Sequence, residues 1–179
     1  FSSLVEGPFK DWVIRFTSRS HWAKLSGTFS DKCLQVKAFG DYPSNTDFQS
    51  IIDSFVRIRE ARPDVPESDF PDTLLVVSDM QFDYTGPRTN YETAQRKLSA
   101  VFSEEYVSNF MFIWWQVNGR MKDVPQTMDE PGGYVISGFD GATVSLIISG
   151  SEKKEDGTTP NMQEVVESAL SQEILTWVD

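Results

Sequence analysis

Four consecutive apolar residues, Leu74-Leu75-Val76-Val77, stand between Asp72-Thr73 and Ser78-Asp79, and no other stretch constrains the fold as tightly. An unbroken apolar run of that length, partly β-branched and bounded by turn-forming residues, fits a strand covered on both faces. Parallel sheets flanked by helices contain such strands. A strand of this kind delivers the residues after it to the carboxyl edge of the sheet, where ligands bind in open α/β folds. Ser78, Asp79 and Asp83 are the polar residues delivered here. Asp79 suits two roles at that edge: a carboxylate holding a metal ion or polar ligand, or a cap for the next turn.

The remaining elements are read around this strand. Residues 12–17, rich in β-branched and aromatic side chains, predict a first strand, and residues 21–25 return antiparallel after the turn Ser18-Arg19-Ser20. Residues 29–39 carry a mixed apolar pattern that favours a short helix. Phe48, Ile51, Ile52, Phe55, Val56 and Ile58 line one face of a clear helix, which Asn45, Thr46 or Asp47 can cap. Residues 62–71, with Pro63, Pro66 and Pro71, read as an exposed connector. Residues 90–107 predict one helix, 110–117 a second buried strand and 134–139 a further strand. Residues 143–148 and 161–178 complete the chain as helices, the latter amphipathic. Loops are expected over 118–132 and 151–159. This order predicts one α/β domain over residues 1–179: a three-layer sandwich with a mostly parallel sheet and helices on both faces. The strands at Trp12, Leu74, Phe110 and Tyr134 are expected in a single sheet.

Composition narrows the function. A net charge of −11 repels phosphate, so nucleic acid is not the expected partner. The 39% hydrophobic and 13% aromatic content belongs to a folded chain rather than a disordered one. Cys33 is the only cysteine, which excludes an intrachain disulfide or a thiolate metal cage and favours a reducing compartment. The longest apolar run is too short to cross a bilayer, so no membrane role is expected. His21, the only histidine, falls on the suspected edge strand, where surface or packing roles outweigh catalysis. The start, Phe1 to Pro8, has no initiator Met and reads like a helix end running into a Gly-Pro stop, so a longer parent polypeptide is expected.

Three stretches, Ser44-Asn45-Thr46-Asp47-Phe48-Gln49, Leu75-Val76-Val77-Ser78-Asp79-Met80-Gln81-Phe82-Asp83 and Val135-Ile136-Ser137-Gly138-Phe139, occur in that order, followed by the tail from Glu164 to Asp179. Together they resemble the carboxy-terminal von Willebrand factor A-like domain of an uncharacterised family found in plants, giant viruses and phages. That family is distantly similar to the A domain of the Ro (TROVE) RNA-binding proteins. The resemblance runs from about Phe9 onward and implies a Rossmann-like sheet topped by a metal-ion-dependent adhesion site. Such a site draws Asp-x-Ser-x-Ser, a Thr and an Asp from successive loops. Matching motifs implies Thr46 and Asp79 as the second- and third-loop metal ligands, with Asp47, Ser78 and Asp83 supporting them. The implied ion is Mg²⁺, which favours hard oxygen donors and keeps several waters.

No Asp-x-Ser-x-Ser occurs in this chain. In the resembled family that motif comes after a strand lying between the counterparts of the Trp12 and Leu74 strands. Here a segment of the parent polypeptide or another chain supplies that strand, or the Trp12 and Leu74 strands pair directly and the site is lost. Mg²⁺ binding is conditional on the first alternative. The expected function is therefore a protein-interaction module with a partial metal site, not an enzyme. Its partner is another protein or the remainder of the parent polypeptide, in an intracellular or virion-associated setting. Two alternatives stand beside it. One is a structural component of a virus particle or large assembly with no metal role. The other is a metal-dependent hydrolase using Asp41, Asp47, Asp79 and Asp83, for which the sequence offers no recognisable base or nucleophile arrangement.

Overall fold

The computed structural model of this chain describes residues 3, 7–39, 47–79, 82–83, 86–116, 132–138 and 164–165. β-branched and aromatic residues build the first unit, an antiparallel hairpin of β1 (Trp12–Phe16) and β2 (Ser20–Lys24). The backbone N–H of Leu25 donates to the carbonyl of Asp11 and closes its base. Helix α1 (Phe29–Lys37) comes next, started by a capping box in which Thr28 and Asp31 satisfy each other's backbone N–H groups. Lys32 of α1 pairs with Asp11, so the helix is tied to the hairpin by charge. Its apolar residues take no part: Phe29, Leu34 and Val36 are exposed, Phe29 by 83%.

Helix α2 (Gln49–Ala61) buries Ile51, Ile52 and Phe55, the face its spacing predicts. The hairpin docks on this helix through Trp22, whose ring centroid lies 5.3 Å from that of Phe55 and whose Nε1 donates to Ser54 Oγ. The central sheet is parallel, ordered β3 (Thr73–Ser78), β4 (Met111–Gln116), β5 (Gly133–Ser137). Between β3 and β4 the chain passes through α3 (Asn90–Leu98) and α4 (Glu104–Asn109). Pleating sends alternate residues of β4 to opposite faces. Phe112 and Trp114 join α2 and α3 in one core with Phe48, Ile52, Phe55, Ala94 and Leu98. Ile113 points the other way, to Tyr134, Ile136 and Val165.

The four strands expected in a single sheet lie, among the described residues, in two sheets. Among the described residues β1 pairs only with β2, and β3 only with β4. The hairpin satisfies the inner backbone groups of β1, and its union with the central sheet is made by side chains: Ile14 and Trp22 pack against the same core as Leu74. Direct pairing of the Trp12 and Leu74 strands does not occur.

The helix predicted over residues 90–107 is two helices. The first ends at Leu98 with Ser99 as its C-cap, and Ser103, extended and accepting the N–H of Tyr106, starts α4 afresh. The connector over residues 62–71 is largely exposed, as predicted, and Phe70 is its buried exception, with the Arg59 guanidinium lying over the rings of Phe70 and Phe102. Glu67, in a short 3-10 turn of this connector, accepts from the hydroxyl and N–H of Ser103, and the hydroxyl bond holds its carboxyl below the usual carboxylate range. The helix expected over 143–148 and most of that over 161–178 lie outside the described residues, where only Glu164 and Val165 appear, both helical.

Candidate functional site

The parallel sheet ends in a polar row. Ser78, Gln116 and Ser137 are the last residues of β3, β4 and β5, and the register aligns them: Ser78 opposite Gln116, Gln116 opposite Ser137. Aligned residues in a parallel ladder share a face. Below this row the next two on the same face, Val76-Trp114-Val135 and Leu74-Phe112-Gly133, belong to the apolar side that packs on α2 and α3. The change from apolar to polar coincides with the carboxyl edge of the sheet, the ligand-binding edge of open α/β folds.

The amino end of α2 lies over that edge. The Phe48 ring centroid sits 4.7 Å from Trp114 and 5.8 Å from Phe82, and Phe82 lies 5.4 Å from Trp114. Residues 47–49 and 82–83 thus gather where β3 and β4 end. Asp47 is anchored from a second direction, its N–H donating to the carbonyl of Thr17 at the end of the hairpin strand.

Asp79 directly succeeds β3 and is half-buried, as is Ser78. Asp83 is exposed in the segment carrying Phe82. The Asp47 carboxylate accepts the N–H of Ser50, so its observed work is to cap α2. Thr46 and Asp41 lie outside the described residues. Among the described residues no three of His, Cys, Asp or Glu gather as a metal-holding group. His21 is exposed on β2.

Because Asp47 satisfies an N–H in the first turn of α2, replacing it by alanine is expected to cost about 1 kcal/mol of stability. Asp47→Asn, which keeps an acceptor oxygen, is expected to cost less than half of that. Urea denaturation of the three proteins checks the order.

Two residues of the site are not singled out by sequence pattern. Gln116 is fully buried at the end of β4, and among the described residues neither its Oε1 nor its Nε2 has a hydrogen-bond partner. Gln49, at the first turn of α2, donates from Nε2 to the carbonyl and Oδ1 of Asn90 in α3, while its Oε1 is buried and unpartnered. The available signal was Gln116 itself, a carboxamide closing the apolar run 110–115. A buried polar side chain costs free energy unless paired, so its presence there asks for a reason.

These elements define a mixed α/β domain whose parallel sheet carries hydroxyls, one carboxamide and a carboxylate at its carboxyl edge. Residues 1–175 match the family described as a domain of unknown function (DUF7788), and the chain belongs to that family. No curated protein and no solved structure matches the chain. No helix among the described residues is long and apolar enough to cross a membrane.

Proposed function

We propose that this domain is a protein-interaction module of von Willebrand factor A type, part of a larger polypeptide or assembly, with a Mg²⁺ site at the carboxyl edge of its sheet. The observation that carries the reading is the position of β3. It has a strand neighbour on one side only among the described residues, and it ends in Ser78 and Asp79. In this reading β2-β1 and β3-β4-β5 are two parts of one three-layer sandwich, joined by a strand inserted between β1 and β3. The core shared by α2, Ile14, Trp22 and Leu74 supports that arrangement.

Asp79 and Thr46 then act as ligands beside the Asp-x-Ser-x-Ser loop that the inserted strand brings. Ser78 and Asp83 orient them, and an acidic group of a protein partner completes the metal's shell. Asp47 contributes by fixing the start of α2 below that loop. The test is Mg²⁺ titration by calorimetry on the complete parent protein. Asp79→Ala is expected to weaken binding by about 100-fold or more while leaving the fold intact, since it removes a charged oxygen ligand. Unchanged Mg²⁺ affinity in Asp79→Ala sinks the metal site.

A second reading has its own observation. Phe29, Leu34 and Val36 of α1 are exposed apolar residues on a helix with no buried residue. A structural component of a virus particle or large assembly, without a metal role, uses such residues as contact surface. Such a role gives assembly that is indifferent to Mg²⁺ and sensitive to Phe29→Ser.

A further inference from the structure

A cavity of about 300 Å³ opens beside the hairpin, lined by Pro8, Phe9, Trp12, Trp22 and Ile58 and almost wholly apolar. Its walls are held in place by the fold itself. Trp22 is fixed by the bond from its Nε1 to Ser54 Oγ and by ring contact with Phe55. Phe9 contacts Trp22 at 6.0 Å and Phe70 at 5.8 Å, and Trp12 meets Trp22 edgewise at 6.1 Å. The turn that carries Phe9 and Trp12 is strained, because Asp11 has φ +66°, a left-handed backbone that disfavours residues other than glycine. Three bonds hold it there. Asp11 Oδ1 accepts from Ser3 Oγ and Lys32 Nζ, and the Asp11 carbonyl accepts the N–H of Leu25. Strain that the surroundings enforce in this way collects at functional sites.

We propose that this cup docks a segment of a partner polypeptide in which a bulky apolar side chain adjoins a single carboxylate. The site goes beyond the metal reading above and uses none of its residues. Volume sets the apolar part, since about 300 Å³ is the low end of the range for ligand pockets and takes one aromatic or branched side chain. The cup is open on one side, so a free small molecule keeps much of its surface in water, whereas a side chain delivered by a polypeptide needs only its tip covered. Charge sets the rest. The register aligns Trp12 with Lys24 and Ile14 with Trp22, which puts Lys24 on the same face of the hairpin as both tryptophans. Lys24 is exposed and makes no ion pair among the described residues. Trp12 is half-buried, and among the described residues its indole N–H has no acceptor. Both groups donate, and a carboxylate beside the docked side chain answers them. Aromatic rings alone also attract a cation, but Lys24 repels one, and Asp11, the carboxylate of the turn, is paired with Lys32. The net charge of −11 opposes a run of acids, so one carboxylate at Lys24 fits better than several.

The experiment follows the indole N–H signals of Trp12 and Trp22 by NMR in the ¹⁵N-labelled chain. Probes are the acetylated, amidated dipeptides Phe-Glu, Phe-Gln, Phe-Lys and Ala-Glu, with 3-phenylpropanoate as the free small molecule. Phe-Glu is expected to shift both signals saturably and to bind at least about tenfold more tightly than Ala-Glu, because only it buries a ring. Its advantage over Phe-Gln is expected to be about threefold, the scale of one exposed ion pair. Lys24→Gln, a change at an exposed position, is expected to erase that advantage while both peptides still bind. Trp12→Ala, shown to be folded by near-ultraviolet circular dichroism, is expected to weaken Phe-Glu about tenfold as read at Trp22. The proposal is overturned if Phe-Glu gives no saturable shift, if Ala-Glu matches it, or if Phe-Lys binds more tightly. It is equally overturned if 3-phenylpropanoate matches Phe-Glu, if Lys24→Gln keeps the preference, or if folded Trp12→Ala binds like the parent. Signals that move with protein concentration alone put a second copy of the chain in the cup and also overturn it.

Discussion

Replacing Trp114 by alanine is expected to destabilise the domain by about 3–5 kcal/mol, a large share of the roughly 5–15 kcal/mol that holds a domain of ordinary size folded. Trp114 has no solvent exposure and occupies the middle strand of the parallel sheet. Its ring stacks on Phe112 at 5.8 Å and meets Phe48 and Phe82 edgewise or tilted, so truncation removes contacts to α2, to its own strand and to the segment after β3 together. No single neighbour can move in to fill the space without leaving another contact. Phe29→Ala is the control: an 83% exposed phenylalanine on α1 is expected to change stability by less than about 0.5 kcal/mol. Guanidinium denaturation monitored by far-ultraviolet circular dichroism, which does not depend on the lost tryptophan, compares the two. A Trp114→Ala protein within about 1 kcal/mol of the parent overturns the packing assigned to β4.

The same residues show how far the sequence can be read. The runs Leu74–Val77 and Phe110–Val117 announce neighbouring strands of the parallel sheet, and β4 is buried on both faces as such a run implies, whereas in β3 Val76 alone is buried and Val77 is 50% exposed. The α2 face was legible from helical spacing alone. Ser103 was harder to read. A serine inside a helical pattern can sit exposed on the helix or start a new one, and here the outcome depends on Glu67, 36 residues away, which holds the Ser103 hydroxyl and N–H. Likewise the sequence places Asp79 at the end of β3 but does not show that β1 and β3 fall in separate sheets among the described residues, because pairing between distant strands carries no local signature. Gln116 was legible as a residue and not as a site, since its lack of partners is a property of three strands and a helix brought together.

The largest functional effect is expected from a strand inserted between β1 and β3. Among the described residues each of these strands has one neighbour, β2 and β4 respectively. Open strand edges invite pairing with other chains, and natural proteins cover them or place charges along them. β3, reading Thr-Leu-Leu-Val-Val-Ser, has no charge. Main-chain addition to such an edge gives affinity, and alternate side chains give specificity. An inserted strand ending in Asp-x-Ser-x-Ser is expected to act twice. It slows hydrogen exchange at those amides of Thr73–Val77 that do not pair with β4 on the order of 100-fold, because exchange then requires the new ladder to open. It also creates Mg²⁺ binding that residues 1–179 without it show only weakly, since the first-loop oxygens arrive beside Asp79. The comparison uses residues 1–179 alone and the same residues tethered to a strand that ends in Asp-x-Ser-x-Ser. Serine-to-alanine changes in the added motif are expected to remove the Mg²⁺ response and leave the exchange protection. Equal exchange at β3 with and without the tethered strand defeats the arrangement. Slowed exchange without Mg²⁺ binding keeps the inserted strand and discards the ion.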